Sequence, residues 1–452
     1  MPAFIDSVTA LLIHDGKLFL VERHPALSTF AGYQAFPGGK VDPEDADGPA
    51  FDSPVLGTHD RRLMWALVRE LREELGFDLV LSAQDGTLDS ITECGRAITP
   101  PFVERRFDTR FYTIKLSRRP EFTIDRREAT GGGWATPADW IQRYETGRIL
   151  VAVPTLRCIR ALVADASCTN LGDLAAQPNP GRLTYIDGLH GLTMIPVRSH
   201  TLPPATHTNC YVFGEPPGPR LAVDPSPADD AEYERLCATL EELQVDQLLI
   251  THHHPDHYQH AERLARRYGW PMLMSGRTAE RIRARRGASF FDGIELRLLS
   301  DGQAVGHWLG KPVLVLAVPG HDDGQIALMP ETREWCIVGD LIQGIGTVVI
   351  ASPEGNMQQY FESLQRIIDL APLAIFPSHG SGLATTFRLE ETLRHRRARE
   401  EQVLQLHRTG HSVDQMLAAI YTQIPPGLLP YARKNIESHL DKLRDEGRLE
   451  LS

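Results

Sequence analysis

The sequence predicts a multidomain protein of mixed α/β and α+β class that ends in a small helical module. Three observations lead there. Between Leu221 and Phe376, apolar β-like runs each lead into an aspartate or histidine, as open sheets do at a functional edge. Near the start, two strand-like runs precede a Pro-Gly-Gly stretch and a helix rich in glutamate. From residue 387 onward the chain reads as three helices followed by a short wing-like stretch. A chain of 452 residues has room for two to three cores.

The first domain opens with strand-like runs at 8–13 and 18–22, followed by Phe36-Pro37-Gly38-Gly39, read as a loop. Leu63, Leu67, Leu71 and Leu75 then recur every four residues, which marks a helix with a buried stripe. On another face Glu70, Glu73 and Glu74 stand at i, i+3 and i+4. Three like charges so placed repel one another unless a cation joins them; the bland alternative is a solvated acidic face. Gly76 sits where the helix should stop.

Residues 69–77, Arg-Glu-Leu-Arg-Glu-Glu-Leu-Gly-Phe, resemble the core of a Nudix box, REUxEExGU. The resemblance implies an α/β/α sandwich in which Glu73 and Glu74 bind Mg²⁺ or Mn²⁺. Glu70 would be a further ligand or the base, oriented by Arg69, with Gly38, Gly39 and Gly76 structural. Such enzymes hydrolyse a diphosphate linked to a nucleoside. The box departs from its pattern before the helix: Asp45 stands six positions after Gly39, where a glutamate is usual, and an insert of roughly residues 45–60 follows. That insert reads as a surface loop. With Arg106-Phe107-Asp108-Thr109-Arg110-Phe111-Tyr112 it resembles the Nudix branch that includes coenzyme A diphosphatases. Gly131-Gly132-Gly133 reads as a turn, and Trp134-Ala135-Thr136-Pro137 with the helix after it resembles a Nudix ending. The domain is taken as 1–168. Asn, Gln and Pro-Asn-Pro-Gly then mark a linker, 169–184.

Residues 252–257 read His-His-His-Pro-Asp-His, directly after the apolar run Leu248-Leu249-Ile250-Thr251. Five of the chain's 18 histidines fall between 252 and 260, too dense for a chance turn. Upstream, Leu221-Ala222-Val223 delivers Asp224. Downstream, strand-like runs lead to His321, to Asp340 and to His379. Imidazole and carboxylate together suit zinc or a similar ion.

The HxHxDH pattern of His252, His254, Asp256 and His257, with the later ligands, resembles the metallo-β-lactamase fold superfamily over roughly 185–385. The resemblance implies an αββα sandwich with two metals, zinc or else iron or manganese. His252, His254 and His321 would bind one ion, and Asp256, His257 and His379 the other. Asp340 would bridge them, and Asp224 would be structural. The nucleophile would be a metal-bound hydroxide, oriented by Asp256. His253 and Pro255 are assigned to turn geometry and outer support. This domain is taken as 185–386.

The remaining residues, 387–452, predict helices over 388–406, 412–421 and 432–443, with 446–451 as a small wing. The order resembles a winged helix, and the tail resembles that of lactamase-β-like endoribonucleases, near the glyoxalase II-like branch. Asn435, Glu437, Asp441 and Asp445 interrupt the third helix, so a packing role is favoured over DNA binding. A formal charge of −12 opposes broad nucleic-acid affinity. The six cysteines lack CxxC pairing, as in a reduced, cytoplasmic protein. With no long apolar run and no signal-like start, neither a membrane span nor secretion is expected.

The favoured expectation is a bifunctional hydrolase acting on a small nucleotide-containing substrate. Acyl-coenzyme A fits both sites, with the thioester cut at one and the diphosphate at the other. A single-strand endoribonuclease with Nudix end-trimming, and a nucleic-acid-binding regulator acting through the tail, are the alternatives. A dimer is left open.

Overall fold

The computed structural model describes residues 4–27, 29–100, 102–103, 105–176 and 180–449. It forms two compact units, Met1–Asn179 with Thr184–Thr193, and Pro180–Leu183 with Met194–Ser452.

In the first unit, β1 (Ile5–His14) and β2 (Lys17–Arg23) form a hairpin. Its two-residue turn, Asp15-Gly16, takes positive φ at both positions, a geometry whose twist suits a tight hairpin. There follow β3 (Gln34–Ala35), β4 (Gly38–Lys40), α1 (Arg61–Leu75), α2 (Leu79–Gln84), β5 (Leu88–Ile98) and β6 (Phe107–Leu116). Then come β7 (Ala129–Ala135), α3 (Pro137–Glu145), α4 (Val153–Ala164), β8 (Gly172–Asp173) and β9 (Ile186–Leu189). The sheet runs β3-β2-β1-β6-β5-β8, with β4 on β1 and β7 on β2. Alternation along β1 divides two cores. Val8, Ala10 and Leu12 pack with Leu67 and Leu71 of α1, whereas Leu11 packs with Trp140 and Ile159 of α3 and α4. The result is an α/β/α sandwich. Helix α1 is capped at both ends: Asp60 accepts from the Leu63 amide at 3.1 Å, and Gly76 closes it at φ 63°.

Four sequence expectations need correction. Gly131–Gly133 is not a turn but part of β7, paired with β2. A side chain at Gly132 would meet the Phe19 ring at 2.7 Å, so glycine there serves a close approach across the sheet. Gly38 and Gly39 lie in β4, paired with β1, not in a loop. The insert is not a loose surface loop. Phe51 stacks on Trp65 of α1, the Trp65 indole donates to Pro49 O at 2.8 Å, and Leu56 is fully buried. The expected linker contains β8, which extends the sheet beside β5 and is followed by buried Leu174. Its residues 177–179 lie outside those described.

The second unit has two sheets. The first comprises β10 (Leu192–Arg198), β11 (His207–Phe213), β12 (Leu221–Val223), β13 (Gln247–Leu249), β14 (Met272–Ser275) and β15 (Leu296–Leu299), ordered β15-β14-β13-β12-β11-β10. Between them come α5 (Asp230–Glu242), α6 (Pro255–Tyr258), α7 (Ala261–Tyr268) and α8 (Gly276–Arg286). The second comprises β16 (Ala304–Trp308), β17 (Lys311–Ala317), β18 (Ile326–Pro330), β19 (Cys336–Gly339), β20 (Ala374–Pro377) and β21 (Leu383–Ala384), in that spatial order. Helix α9 (Met357–Leu370) precedes β20. Between the sheets Tyr211 meets Phe376 and Phe213 meets Trp335, with ring centroids 5.8 and 5.5 Å apart. Each ligand-type residue picked out in the sequence follows the C-terminal end of a strand: Asp224 after β12, the histidine cluster after β13, His321 after β17, Asp340 after β19 and His379 after β20.

In the same unit, α10 (Phe387–Arg408), α11 (Val413–Ile420) and α12 (Leu429–Asp445) share a core of Val403, Leu404, Met416, Ile436 and Leu443. Helix α12 also buries Asn435, His439 and Lys442. No strand forms over 446–449, so the described part of the expected wing is not a β-ribbon; residues 450 and 451 lie outside those described. Among the described residues no helix is long and apolar enough to cross a membrane.

Candidate metal centre

Strand β13 ends at Leu249, and the chain runs through Ile250 and Thr251 into His252, His253 and His254. Pro255 opens α6, which carries Asp256 and His257 in its first turn. Asp224 anchors this segment from the neighbouring strand. Its carboxylate accepts from the Thr251 amide at 2.8 Å, the Thr251 hydroxyl at 2.7 Å and His257 Nδ1 at 2.9 Å. Asp224 itself adopts φ 53°, a left-handed conformation that aspartate tolerates better than most residues.

Five histidines then turn one nitrogen outward and one inward. His321 Nδ1 faces the Val349 carbonyl at 2.8 Å, and His379 Nδ1 faces the His207 carbonyl at 2.9 Å. A carbonyl only accepts, so in both rings Nδ1 carries the proton and Nε2 is a lone pair. His257 Nδ1 donates to Asp224, and His254 Nε2 faces the Glu354 carboxylate at 3.4 Å. His252 Nδ1 lies 3.0 Å from the Thr251 hydroxyl oxygen, whose own proton goes to Asp224. When these rings are neutral, the inward nitrogen of each is therefore the lone pair.

Those lone pairs converge. His254 Nδ1 stands 3.0 Å from His252 Nε2 and 2.9 Å from His321 Nε2. Beside this trio, His379 Nε2 is 3.5 Å from both Asp256 Oδ2 and Asp340 Oδ1, and His257 Nε2 is 3.8 and 3.7 Å from the same atoms. Asp340 reaches both groups, with its Oδ2 3.7 Å from His321 Nε2. Buried His257 Nε2 and Asp340 Oδ1 have no hydrogen-bond partner. Acceptors facing acceptors in a buried site call for a cation, and this donor set suits two of them. The sets His252/His254/His321 and Asp256/His257/His379 are brought together, with Asp340 between.

The electrostatics divide the rings into two pairs. Burial holds His252 well below the usual histidine range, and burial with His254 nearby holds His321 at about 4. Both rings are thus unprotonated and ready to ligate at neutral pH. His257 and His379 behave differently: burial acts downward on both, but Asp256, Asp224 and Asp340 raise His257 to about 10 and Asp340 raises His379. Without a cation His257 therefore holds a second proton that a bound ion would displace. His252, His257 and His379 are fully buried, whereas Asp256 and His254 are partly exposed and form the open side.

Sequence reasoning missed several neighbours. Thr201 Oγ1 lies 3.5 Å from His379 Nε2, and Gln343 Nε2 donates to Asp340 Oδ2 at 3.3 Å. Glu354 backs His254, and Asp322 pairs with His253. Only Thr251, adjacent to the motif, had a local signal; the others come from loops that the fold brings back.

In the first unit Arg69 is a hub. It holds Asp45 through two bonds of 3.1 and 3.0 Å, Glu70 Oε1 at 2.9 Å, Glu73 Oε2 at 3.2 Å and the Lys40 carbonyl at 2.8 Å. The insert thus returns Asp45, itself buried, to Arg69. Gly38 N donates to Glu74 Oε2 at 2.9 Å, and a side chain at Gly39 would strike the Glu70 carboxylate at 2.4 Å. Burial pushes Glu70 upward and Glu74 to about 8, with Arg23 among the charges opposing the rise of Glu74. Glu73 is exposed and turned to Arg69. Among the described residues, Glu70, Glu73 and Glu74 do not converge as the histidine site does.

Residues 203–379 match the model of the metallo-beta-lactamase superfamily, and 412–450 that of the beta-lactamase associated winged helix domain. The beta-lactamase-like protein 2 homolog of Drosophila melanogaster is 28% identical over 262 residues, 54% of this chain and 85% of that protein. A hydroxyacylglutathione hydrolase of Bdellovibrio bacteriovorus is 30% identical over 132 residues, 29% of this chain and 47% of that one. A NUDIX hydrolase from Alicyclobacillus acidocaldarius aligns with a TM-score of 0.32 and 26% identity, over 38% of this chain and 94% of that structure.

Proposed function

We propose that this chain, whose residues 203–379 form a metallo-β-lactamase superfamily domain with a histidine–aspartate metal site, hydrolyses acyl thioesters at that site. One observation carries the reading: nitrogens of five histidines converge with the carboxylates of two aspartates, Asp256 and Asp340, in a largely buried cluster. His252, His254 and His321 would hold one ion, Asp256, His257 and His379 a second, and Asp340 both. Divalent ions bound there supply Lewis acidity and acidify water.

The chain's own residues do the rest. Asp224, Thr251, Glu354 and the Val349 and His207 carbonyls fix the tautomer of each ring. Asp256 is partly exposed and turns Oδ2 to His257 and His379, which leaves its other carboxylate oxygen to orient the nucleophile. The partly exposed Thr201 hydroxyl and Gln343 amide, which reach His379 and Asp340, are assigned as donors for a substrate carbonyl. The thioester is favoured because relatives are named as hydrolases of hydroxyacylglutathione, an acyl derivative of a thiol.

The first unit is assigned a Nudix-type diphosphatase role with Mg²⁺ or Mn²⁺, supported by the Arg69 hub and by two partly buried, upward-shifted glutamates that a cation would relieve. Acyl-coenzyme A would serve both sites.

Elemental analysis of wild type beside His252→Ala, with thiol release from acyl-coenzyme A and cleavage of single-stranded RNA assayed together, tests the reading. About two ions in wild type, loss in the variant and thiol release by wild type alone are expected. RNA cleavage without thiol release would replace the substrate class. Wild type free of metal would end the metal-site reading.

A further inference from the structure

We infer that Asn435 and Arg396, on α12 and α10 of the tail, are positioning residues for the metal ligand His321. The inference rests on the metal-site reading above.

His321 is held by a carbonyl in irregular chain. Its Nδ1 donates to Val349 O at 2.8 Å, and residues 347–350 belong to no helix or strand. Regular structure therefore does not fix the direction of that carbonyl. The tail does. The Val349 carbonyl and the Ile350 amide belong to one planar peptide unit, whose C=O and N–H point in opposite directions. Ile350 N donates to Asn435 Oδ1 at 2.9 Å. Asn435 thus grips one end of a rigid plate whose other end holds His321.

One residue earlier, Val348 O accepts from Arg396 Nη2. Val348, Ile350, Arg396 and Asn435 are all at least nine-tenths buried, so water does not replace either bond. Arg396 also lies over the Tyr360 ring, 5.6 Å from its centroid. Tyr360 in turn supports the site from behind. Its hydroxyl donates to the carbonyl of Leu341, next to Asp340, at 2.8 Å, and its backbone fills the space a side chain at Gly320 would need. The tail therefore braces the turns that present His321 and Asp340, while touching neither inward atom.

The test uses the full-length chain loaded with Zn²⁺, and with Co²⁺ as a spectroscopic probe. Asn435→Ala should weaken one of the two ions by roughly 10–100-fold in chelator competition, the effect usual for an outer partner of a ligand histidine, and should alter the Co²⁺ visible spectrum. Asn435→Asp, which keeps the acceptor, should restore most of the affinity. In a His321→Ala background, Asn435→Ala should have no further effect. Leu440→Ala, in the tail core away from the clamp, should lower Tm yet leave affinity and spectrum unchanged. Wild-type affinity in Asn435→Ala, equal weakening in Leu440→Ala, or full weakening without His321 would overturn the inference alone. A wild type that binds no metal would overturn it together with the metal-site reading.

Discussion

Glu74 is a carboxyl that burial raises to about 8, from an ordinary value of 4.5. A carboxyl raised on folding opposes stability once it ionises. The metal-free first unit should therefore lose stability as pH climbs from about 4.5 to about 8. Glu74→Gln should remove that slope in a series of melting curves, and Mg²⁺ should raise Tm in wild type at pH 8 but much less in the variant. Asp45 gives a second prediction. It is buried, whereas Arg69 is about a quarter exposed, so Asp45→Asn should cost about 2 kcal/mol in denaturant titration, below the full penalty for breaking a buried pair. At this scale much was legible. Asp224, the histidines and Asp340 each end an apolar run, and that pattern is local. Glu354, Thr201 and Gln343 are ordinary polar loop residues, and only the folded chain brings them to the site.

Gly320 shows how elements set the site's dimensions. At φ 133° its missing side chain would fall 2.3 Å from the Tyr360 backbone, and backbone does not yield as a side chain tip does. Gly320→Ala should push β17's closing turn away from α9, destabilise by about 3 kcal/mol and weaken metal binding; calorimetry with zinc titration would read both. Strands with alternating or continuous apolar runs were readable because side-chain period reports the pleat. The glycines of β4 and β7 escaped the same reading, since they have no side chain to alternate. Their strand character comes from partners, β1 and β2, that lie far off in sequence. The insert escaped too, because its order depends on Trp65 of α1. Helix α12 was readable as a helix, but not its faces: of Asn435, Glu437, Asp441 and Asp445, which interrupt it in sequence, Asn435 is buried and the other three are exposed.

For the molecule as a whole, the two units are expected to answer to different ions. Zinc should raise the melting transition of the second unit and Mg²⁺ that of the first, each by mass action on the folded form. Differential scanning calorimetry with each ion in turn checks this, and one transition shifted by both would contradict it. The peptide plate at Val349–Ile350 has one more consequence, for how the tail behaves when the metal is taken away. If docking of the tail tightens an ion, binding of the ion must hold the tail down by the same free energy, because coupling between two equilibria is reciprocal. A chain cut after the last ligand, His379, would keep every ligand and still bind metal poorly. Stripping the ion should in turn make α10 to α12 the first segment a protease removes.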